Sequence, residues 1–347
     1  MLQQILQFKT NTNLPISSSM KKLKPVERFL YLIKKAKNVV ITTHVHPDAD
    51  GIGSEIALCM ALQEYGLNAV CVNEDTLMER YKYMDPDNVV TDYAKYAENE
   101  LQVIDLFIVT DTNTLHRIGN NMQSLVARSK DLLFIDHHPC PKELMAIHCI
   151  DTKVAATGEL VGGLITALGI KFNIKTALPL YTSILIDTSS FRYPTVTAST
   201  HALVAKLLET GIDPPHAYNM IYGTKKISYM KMLGRVLASA ETTPDEKIAW
   251  LKLNEDELVE FDVDSEDTLG FINHLLILDH LEVAVMFREM GAQVKISLRS
   301  MGKVDVGIMA QALGGGGHDH SAATIVKGNI EEIIKETIEK IQLMLKN

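Results

Sequence analysis

The stretch Asn38-Val39-Val40-Ile41-Thr42-Thr43-His44-Val45-His46-Pro47-Asp48-Ala49-Asp50-Gly51 indicates an α/β fold and contains the first candidate site residues. Residues 38–42 are apolar and β-branched, which predicts a short buried strand. We expect a helix from Gly53 to Tyr65, so that His44, Asp48 and Asp50 lie in the loop between the two elements. Open α/β sheets bind ligands at the carboxyl ends of their strands. Mixed imidazole and carboxylate ligands suit Mn, Fe or Zn better than Ca, which prefers oxygen alone.

The composition is that of a soluble globular protein. The chain has 347 residues, 46% hydrophobic and 22% charged, which is long enough for two domains. No apolar run reaches the ~18–20 residues needed to cross a bilayer, so we expect no membrane partner. The net charge of −9 disfavours a long duplex nucleic acid as a partner. A short anionic substrate at a metal site is still allowed, because bound cations outweigh local carboxylates.

The cysteines and the first residues bear on the location of the protein. Four cysteines without a CxxC pair predict reduced thiols in a cytoplasmic protein; they are Cys59, Cys71, Cys140 and Cys149. Residues 1–24 are expected to be a flexible extension and not a signal peptide, because polar side chains interrupt the apolar start. Met1 and Met20 are alternative starts of translation.

Strands and helices alternate through the first two thirds of the chain. Further strands are expected at residues 69–73, 103–109, 132–135 and 147–150, with helical patterns between most of them. This alternation predicts an α/β domain at residues 25–213 with a doubly wound, mainly parallel sheet. A strong breaker at 211–215 precedes an expected helical linker at 214–240. A smaller α+β domain is expected at 241–347, with the active-site cleft between the two domains.

Six acidic and imidazole residues of the first domain each lie at or just past the end of an apolar segment. They are His44, Asp48, Asp50, Asp111, His137 and Asp187. Consecutive strand ends of a doubly wound sheet converge on one edge, where four carboxylates repel each other unless cations lie between them. Two divalent ions ~3.5–4 Å apart need a bridging carboxylate and terminal ligands. The alternative is that these aspartates are helix N-caps and turn formers, which is favoured for Asp111 or Asp187 taken alone.

The same residues carry a resemblance to a known family. His44-x-x-x-Asp48-x-Asp50, Asp111, Asp136-His137-His138 and Asp187 resemble, in this order, the four motifs of the DHH phosphoesterases. Ser297-Leu298-Arg299-Ser300 together with Gly314-Gly315-Gly316-Gly317-His318 is similar to the associated C-terminal DHHA1 domain. The resemblance covers nearly the whole chain after about Pro25. The two-domain size resembles the branch of nano-RNases (oligoribonucleases) and 3′-phosphoadenosine-5′-phosphate (pAp) phosphatases.

The resemblance implies two manganese ions. One would be held by His44, Asp48 and Asp111, and the other by Asp50, Asp111, His137 and Asp187, with Asp111 bridging. A hydroxide between the ions would attack phosphorus. His138 would contact the scissile phosphate or assist protonation, and Asp136 would orient an imidazole. His46 lies outside the family's ligand pattern.

The glycine run of the second domain needs a physical reason. Four consecutive glycines cost backbone entropy, which predicts a positive φ or a very close approach; a plain flexible turn is the alternative. Successive amides there can form an anion-binding nest, and Arg299 can hold a phosphate in bidentate fashion. The resemblance implies that this domain binds the nucleotide part of the substrate. The implied substrate-binding residues are His138, Arg299, Gly315, Gly316, Gly317 and His318.

The sequence therefore predicts a cytoplasmic, Mn²⁺-dependent phosphoesterase. Its expected substrates are short RNA oligonucleotides, hydrolysed to mononucleotides, with pAp as a second candidate. The alternatives are a phosphodiesterase of linear or cyclic dinucleotides, an exopolyphosphatase, and a nucleotide-binding module without catalysis. A homodimer is left open. Three charged or imidazole side chains outside the motifs are expected at the surface: Arg117, Arg192 and His320.

Overall fold

A computed structural model describes residues 23–98, 101, 103–139 and 148–346. The chain divides between Gly223 and Thr224 into two compact units, each with its own core. The expected extension at 1–24 lies outside the described residues except for its last two positions. Met1, Met20 and Cys140 also lie outside them.

Unit 1 contains a six-stranded sheet in which every pairing is parallel. The strands are β1 (Asn38–Thr42), β2 (Asn68–Asn73), β3 (Val90–Asp92), β4 (Ile104–Thr110), β5 (Ser129–Asp136) and β6 (Cys149–Ile150). Their order, β3-β2-β1-β4-β5-β6, is that of a doubly wound fold. The predicted parallel sheet is confirmed, whereas the short edge strand β3 was not predicted.

Helices cover both faces of this sheet. They are α1 (Pro25–Lys35), α2 (Ala49–Glu64), α3 (Tyr93–Tyr96), α4 (Asn120–Arg128), α5 (Thr157–Ala167), α6 (Ile174–Asp187), α7 (Ala198–Leu208) and α8 (Pro214–Tyr218). Short 3₁₀ helices span Glu79–Met84 and Leu115–Arg117, and a π-helix spans Asn219–Gly223. In β1, Val39 and Ile41 pack into one core and Val40 into another. A strand buried on both faces explains the continuous apolar run.

The helix after β1 begins at Ala49, four residues earlier than predicted. Asp48 is its N-cap, and the Asp48 carboxylate accepts the amides of Asp50 (2.9 Å) and Gly51 (3.1 Å). Asp50 therefore lies in the first turn of α2 and not in a loop. Gly51 is needed inside the helix, because a Cβ there would lie 2.2 Å from the Thr43 hydroxyl oxygen.

Unit 2 contains a mixed sheet in the order β11-β12-β10-β9-β8-β7. Its strands are β7 (Glu241–Thr242), β8 (Ile248–Leu253), β9 (Val283–Met290), β10 (Gln293–Arg299), β11 (Gly316–Gly317) and β12 (Ser321–Lys327). Its helices are α9 (Ile227–Ala238), α10 (Glu255–Phe261), α11 (Val306–Ala312) and α12 (Ile330–Lys346). The α+β class is as predicted. Residues 265–277 form a 3₁₀ helix. None of the described helices combines the length and apolarity that crossing a bilayer requires.

Candidate metal centre

The candidate centre lies where the strand order of unit 1 reverses. β1 and β4 are neighbours at this switch point, and ligands of doubly wound sheets bind in the crevice there. His44 follows β1 and Asp111 follows β4, so the two side chains come from adjacent strand ends. Asp136 ends the next strand, β5, and His137 follows it. The fold therefore brings three separate sequence motifs to one sheet edge.

Asp111 is shared by three groups of potential cation ligands, and in one of them its partners are Asp136 and His138, which hydrogen-bond each other. The other two groups contain the predicted metal ligands. Donor atoms of His44, Asp48 and Asp111 all lie within 4.8 Å of one another, as do those of Asp50, Asp111 and His137. The His44 Nε2 is 3.5 Å from the Asp111 Oδ2. The His137 Nε2 is 3.6 Å from the Asp50 Oδ2 and 3.2 Å from the Asp187 Oδ2. Ligands of one small divalent ion stand about 3 Å apart, so these spacings suit shared cations.

Burial and mutual repulsion make it unfavourable for all the carboxylates of this cluster to be ionised unless positive charge lies between them. Burial raises the pKa of Asp111 well above its ordinary value, and the negative charges of Asp50, Asp48, Asp136 and Asp187 raise it further. Divalent cations between the carboxylates would reverse that penalty. The donor set, with both imidazole nitrogen and carboxylate oxygen, therefore fits divalent transition metals.

The two imidazoles are presented in a form that can bind metal. Burial lowers the pKa of His44 and of His137, so both rings are kept neutral. The His44 Nδ1 lies 2.9 Å from the Val45 carbonyl oxygen, which leaves Nε2 facing Asp111. The His137 ring hydrogen-bonds the backbone of Val154 and directs its Nε2 toward the carboxylates. Backbone bonds of this kind fix the tautomer and direction of a metal ligand.

Asp136 orients His138. The fully buried Asp136 carboxylate lies 2.7 Å from the His138 Nδ1 and accepts the His138 amide at 3.2 Å. Burial acts to raise the pKa of Asp136, but the hydrogen bond and the charge of His138 outweigh it, and the net shift is downward. The Asn113 side-chain amide donates to the other Asp136 oxygen at 2.8 Å. A partly exposed imidazole is thus held in place at the edge of the centre.

Sequence reasoning missed the donors that hold Asp50. The amides of Thr157 and Gly158, at the N-terminus of α5, donate to its two oxygens at 2.8 and 3.0 Å. The Ser183 hydroxyl donates to it at 2.5 Å. A Cβ at Gly158 would lie 1.9 Å from that hydroxyl oxygen, so only glycine fits. The signal in the sequence was weak: Thr157-Gly158 at a helix start, where amides favour an anion.

Asp187 is the last residue of α6 and does not follow a strand. The next residues turn sharply, with positive φ at Ser189 (48°), Ser190 (63°) and Phe191 (63°). The buried Thr188 fixes this turn, because its hydroxyl donates to the Ile184 carbonyl (2.6 Å) and accepts the Phe191 amide (2.9 Å). Left-handed non-glycine residues cost roughly 1–2 kcal/mol each. Such strain concentrates at functional sites.

Other polar residues near the motifs stay outside the two groups. His46 is exposed with φ of 51°, and its amide donates to the Asp75 carboxylate at 3.3 Å. Arg117 and Arg192 are exposed, as expected. None of these three belongs to a candidate cation group among the described residues.

Comparison with known proteins decides the family. The model of the DHH family, N-terminal domain, matches residues 38–234, which is more than half of the chain. The chain belongs to the DHH family. A DHHA1 domain model matches residues 246–343.

Relatives of known sequence or structure align with most of this chain. The bifunctional oligoribonuclease and PAP phosphatase NrnA of Thermus thermophilus is 28% identical, over 88% of this chain and 89% of its own length. The enzyme of the same name from Bacillus subtilis is 26% identical, over 81% of this chain and 86% of its own. The crystal structure of an exopolyphosphatase-related protein from Bacteroides fragilis has a TM-score of 0.83 and 28% identity, covering 93% of this chain and 97% of that one.

The DHHA1 unit brings Arg299 close to the glycine run. Arg299 ends β10 and pairs with Ser321 of β12, while Gly316 and Gly317 form β11 on the other side of β12. A Cβ at Gly315 would lie 2.2 Å from the Ala323 carbonyl oxygen, and Gly317 has φ of 145°. The predicted close approach is confirmed, and its partner is β12.

The DHHA1 unit also corrects one expectation. His320, expected at the surface, is buried with 4% of its surface exposed. Its Nδ1 lies 2.7 Å from the Asp319 carboxylate, and its ring stacks on His318 at 5.5 Å with an interplanar angle of 15°. The His318 amide donates to the Ser321 carbonyl at 2.8 Å. The buried His320 ring thus packs against one face of the His318 ring.

Proposed function

We propose that this chain is a phosphoesterase with two divalent metal ions that hydrolyses short RNA oligonucleotides to mononucleotides and pAp to AMP. The observation that carries the proposal is Asp111, a buried carboxylate shared by two groups of potential ligands. A bridging carboxylate between two three-residue groups is what a two-ion hydrolytic site needs.

The proposed ligands of the first ion are His44, Asp48 and Asp111. Those of the second are Asp50, Asp111, His137 and Asp187. When bound, the ions, which we take to be Mn²⁺, would lower the pKa of a water molecule and neutralise charge that develops on phosphate. The protein presents both imidazoles neutral and holds Asp50 by helix amides. His138, oriented by Asp136, would hydrogen-bond the scissile phosphate or donate a proton to the leaving oxygen.

The choice of substrate is supported by the two NrnA relatives, whose names state oligoribonuclease and PAP phosphatase activity. Unit 2 would bind the nucleotide part through Arg299, Gly315, Gly316, Gly317 and His318. The net charge of −9 argues for short substrates and against a long duplex. We place the enzyme in the cytoplasm, where its thiols stay reduced; Cys59, Cys71 and Cys149 are buried and free.

Side-by-side turnover of four substrates tests the proposal: a dinucleotide RNA, pAp, cyclic di-AMP and polyphosphate, each with Mn²⁺, Mg²⁺ or Co²⁺. We expect the RNA dinucleotide and pAp to be hydrolysed fastest, with Mn²⁺. Faster turnover of cyclic di-AMP or polyphosphate would replace the substrate assignment while keeping the chemistry. Tight binding without hydrolysis of any of them would contradict the proposed function.

A further inference from the structure

The π-helix at Asn219–Gly223 follows α8 directly and completes unit 1. π-helices are rare and frequently lie at functional sites. Ile221 packs against the core cluster that also receives Ile186, the residue before Asp187. The π-helix is therefore fixed to the metal-bearing unit, beside the carboxyl end of α6.

Two tyrosine rings stand on this segment. Their ring centroids are 4.7 Å apart and their planes are inclined by 44°. Tyr222 is partly buried, and 46% of Tyr218 is exposed. Tyr222 therefore supports the Tyr218 ring from one side, while much of Tyr218 stays open to solvent.

Tyr222 connects this pair to the candidate centre. Burial raises the pKa of Tyr222 to about 12, a hydrogen bond with Ser190 opposes that shift, and the negative charge of Asp187 adds to it. The phenol therefore keeps its proton at neutral pH. Since Ser190 belongs to the turn after Asp187, Tyr222 lies close to a proposed metal ligand, and the Tyr218 ring lies against Tyr222.

We propose that Tyr218, supported by Tyr222, is a stacking platform for a nucleobase of the substrate. Base–aromatic stacking contributes about 1–3 kcal/mol per base and tolerates any base, because every base has a π-face. A nucleotide whose phosphate lies at the metal centre carries its base one sugar away. The platform would strengthen the binding of nucleotides. It would not strengthen the binding of polyphosphate, which has no base to stack. The inference rests on the proposed function for the position of the phosphate.

The test compares two substrates of equal charge in Mn²⁺: the dinucleotide pApA and its analogue with abasic riboses. Tyr218→Ala is expected to raise the KM for pApA about 10-fold, within the range that stacking allows. The KM for the abasic dinucleotide should not change. Tyr218→Phe should behave as wild type. Tyr65→Ala is the matched control. Tyr65 is similarly exposed (38%), but it lies at the C-terminal end of α2, whereas the proposed ligand Asp48 lies at its N-terminal end.

A binding measurement separates this inference from the proposed function. A non-hydrolysable methylene-phosphonate dinucleotide containing 2-aminopurine should lose fluorescence on binding to wild type and Tyr218→Phe, but not to Tyr218→Ala. An unchanged KM for pApA in Tyr218→Ala, an equal loss for the abasic substrate, or unaltered quenching would overturn the platform. If wild type hydrolyses no phosphoester while the Tyr218-dependent quenching persists, the catalytic proposal fails and the platform stands.

Discussion

At the scale of single residues, Asp111 belongs to more groups of potential cation ligands than any other described residue of the candidate centre. It is buried, has a positive φ of 59°, and its pKa is raised by burial and by four neighbouring carboxylates. An isolated aspartate after a strand gave little indication of this role in the sequence. The set of motifs as a whole predicted Asp111 as the bridging ligand, and β1, β4 and β5 place His44, Asp111 and His137 at neighbouring strand ends.

Asp111→Ala should reduce turnover by roughly 100-fold or more, beyond the usual effect of losing an outer partner of a metal ligand. The metal-free variant should stay folded, because removing a crowded buried carboxylate offsets the loss of the hydrogen bond that the Thr157 hydroxyl donates to it at 2.9 Å. Thermal unfolding with and without Mn²⁺ should show that the metal no longer stabilises the protein. Asp75→Ala, at an exposed carboxylate outside both groups, should keep turnover and the Mn²⁺ effect. Near-normal rates in Asp111→Ala would refute the two-ion assignment.

His148 makes stability depend on pH. Burial, and then the charge of Arg28, lower its pKa from the ordinary 6.5 to about 3. Between these values the unfolded chain binds a proton that the folded chain does not, so stability falls as the pH drops below 6.5. At pH 5 we expect a loss of about 2 kcal/mol, because pH 5 lies roughly 1.5 pH units below 6.5 and each unit contributes about 1.36 kcal/mol.

Urea unfolding at pH 7, 6 and 5 measures this effect. His148→Leu should lose about 2 kcal/mol less than wild type between pH 7 and pH 5. The variant His116→Leu, at an exposed imidazole, should follow the wild-type profile. Identical pH profiles for wild type and His148→Leu would show that this imidazole titrates normally in the folded protein.

At the scale of elements, local sequence patterns predicted the strands well, but they did not predict the polar contacts between elements. β1 has the predicted bounds, because its β-branched apolar run suffices to define it. The start of α2 was placed four residues too late, because Asp48 was interpreted as a loop residue and not as the helix N-cap. The donors to Asp50 come from α5 and α6, more than 100 residues away, and no local pattern announces them.

The glycine run permits a matched pair of substitutions. Gly315→Ala should destabilise unit 2 by about 1–3 kcal/mol, because the added methyl group would lie 2.2 Å from the Ala323 carbonyl oxygen. Gly316→Ala should have little effect, since nothing lies within 4 Å of its Cβ position. Chemical unfolding of both variants checks this. Equal losses of stability would mean that the close contact with β12 does not explain the glycines.

At the scale of the whole molecule, composition and alternation of elements were enough to predict two domains and their classes. Each unit has its own hydrophobic core. All six proposed metal ligands belong to unit 1, which the order of motifs in the sequence had already indicated. The arrangement of side chains within each unit required the coordinates, because it depends on pairings between distant segments.

Calorimetry of the full chain tests this division. Mn²⁺ should raise the unfolding temperature of one transition, that of unit 1, because a ligand stabilises only the part that binds it. The transition of unit 2 should stay where it is, and a chelator should reverse the shift. A single transition that Mn²⁺ moves as a whole would show that the two units unfold together.

The Asp50 carboxylate caps the N-terminus of α5, and this has a consequence for the order of folding and metal binding. Both oxygens of this acid already accept hydrogen bonds from the start of α5. We therefore expect the polypeptide to fold before it binds metal, so that metal binding is a late step. We expect such an apoenzyme to survive dialysis against a chelator and to regain activity when Mn²⁺ is restored.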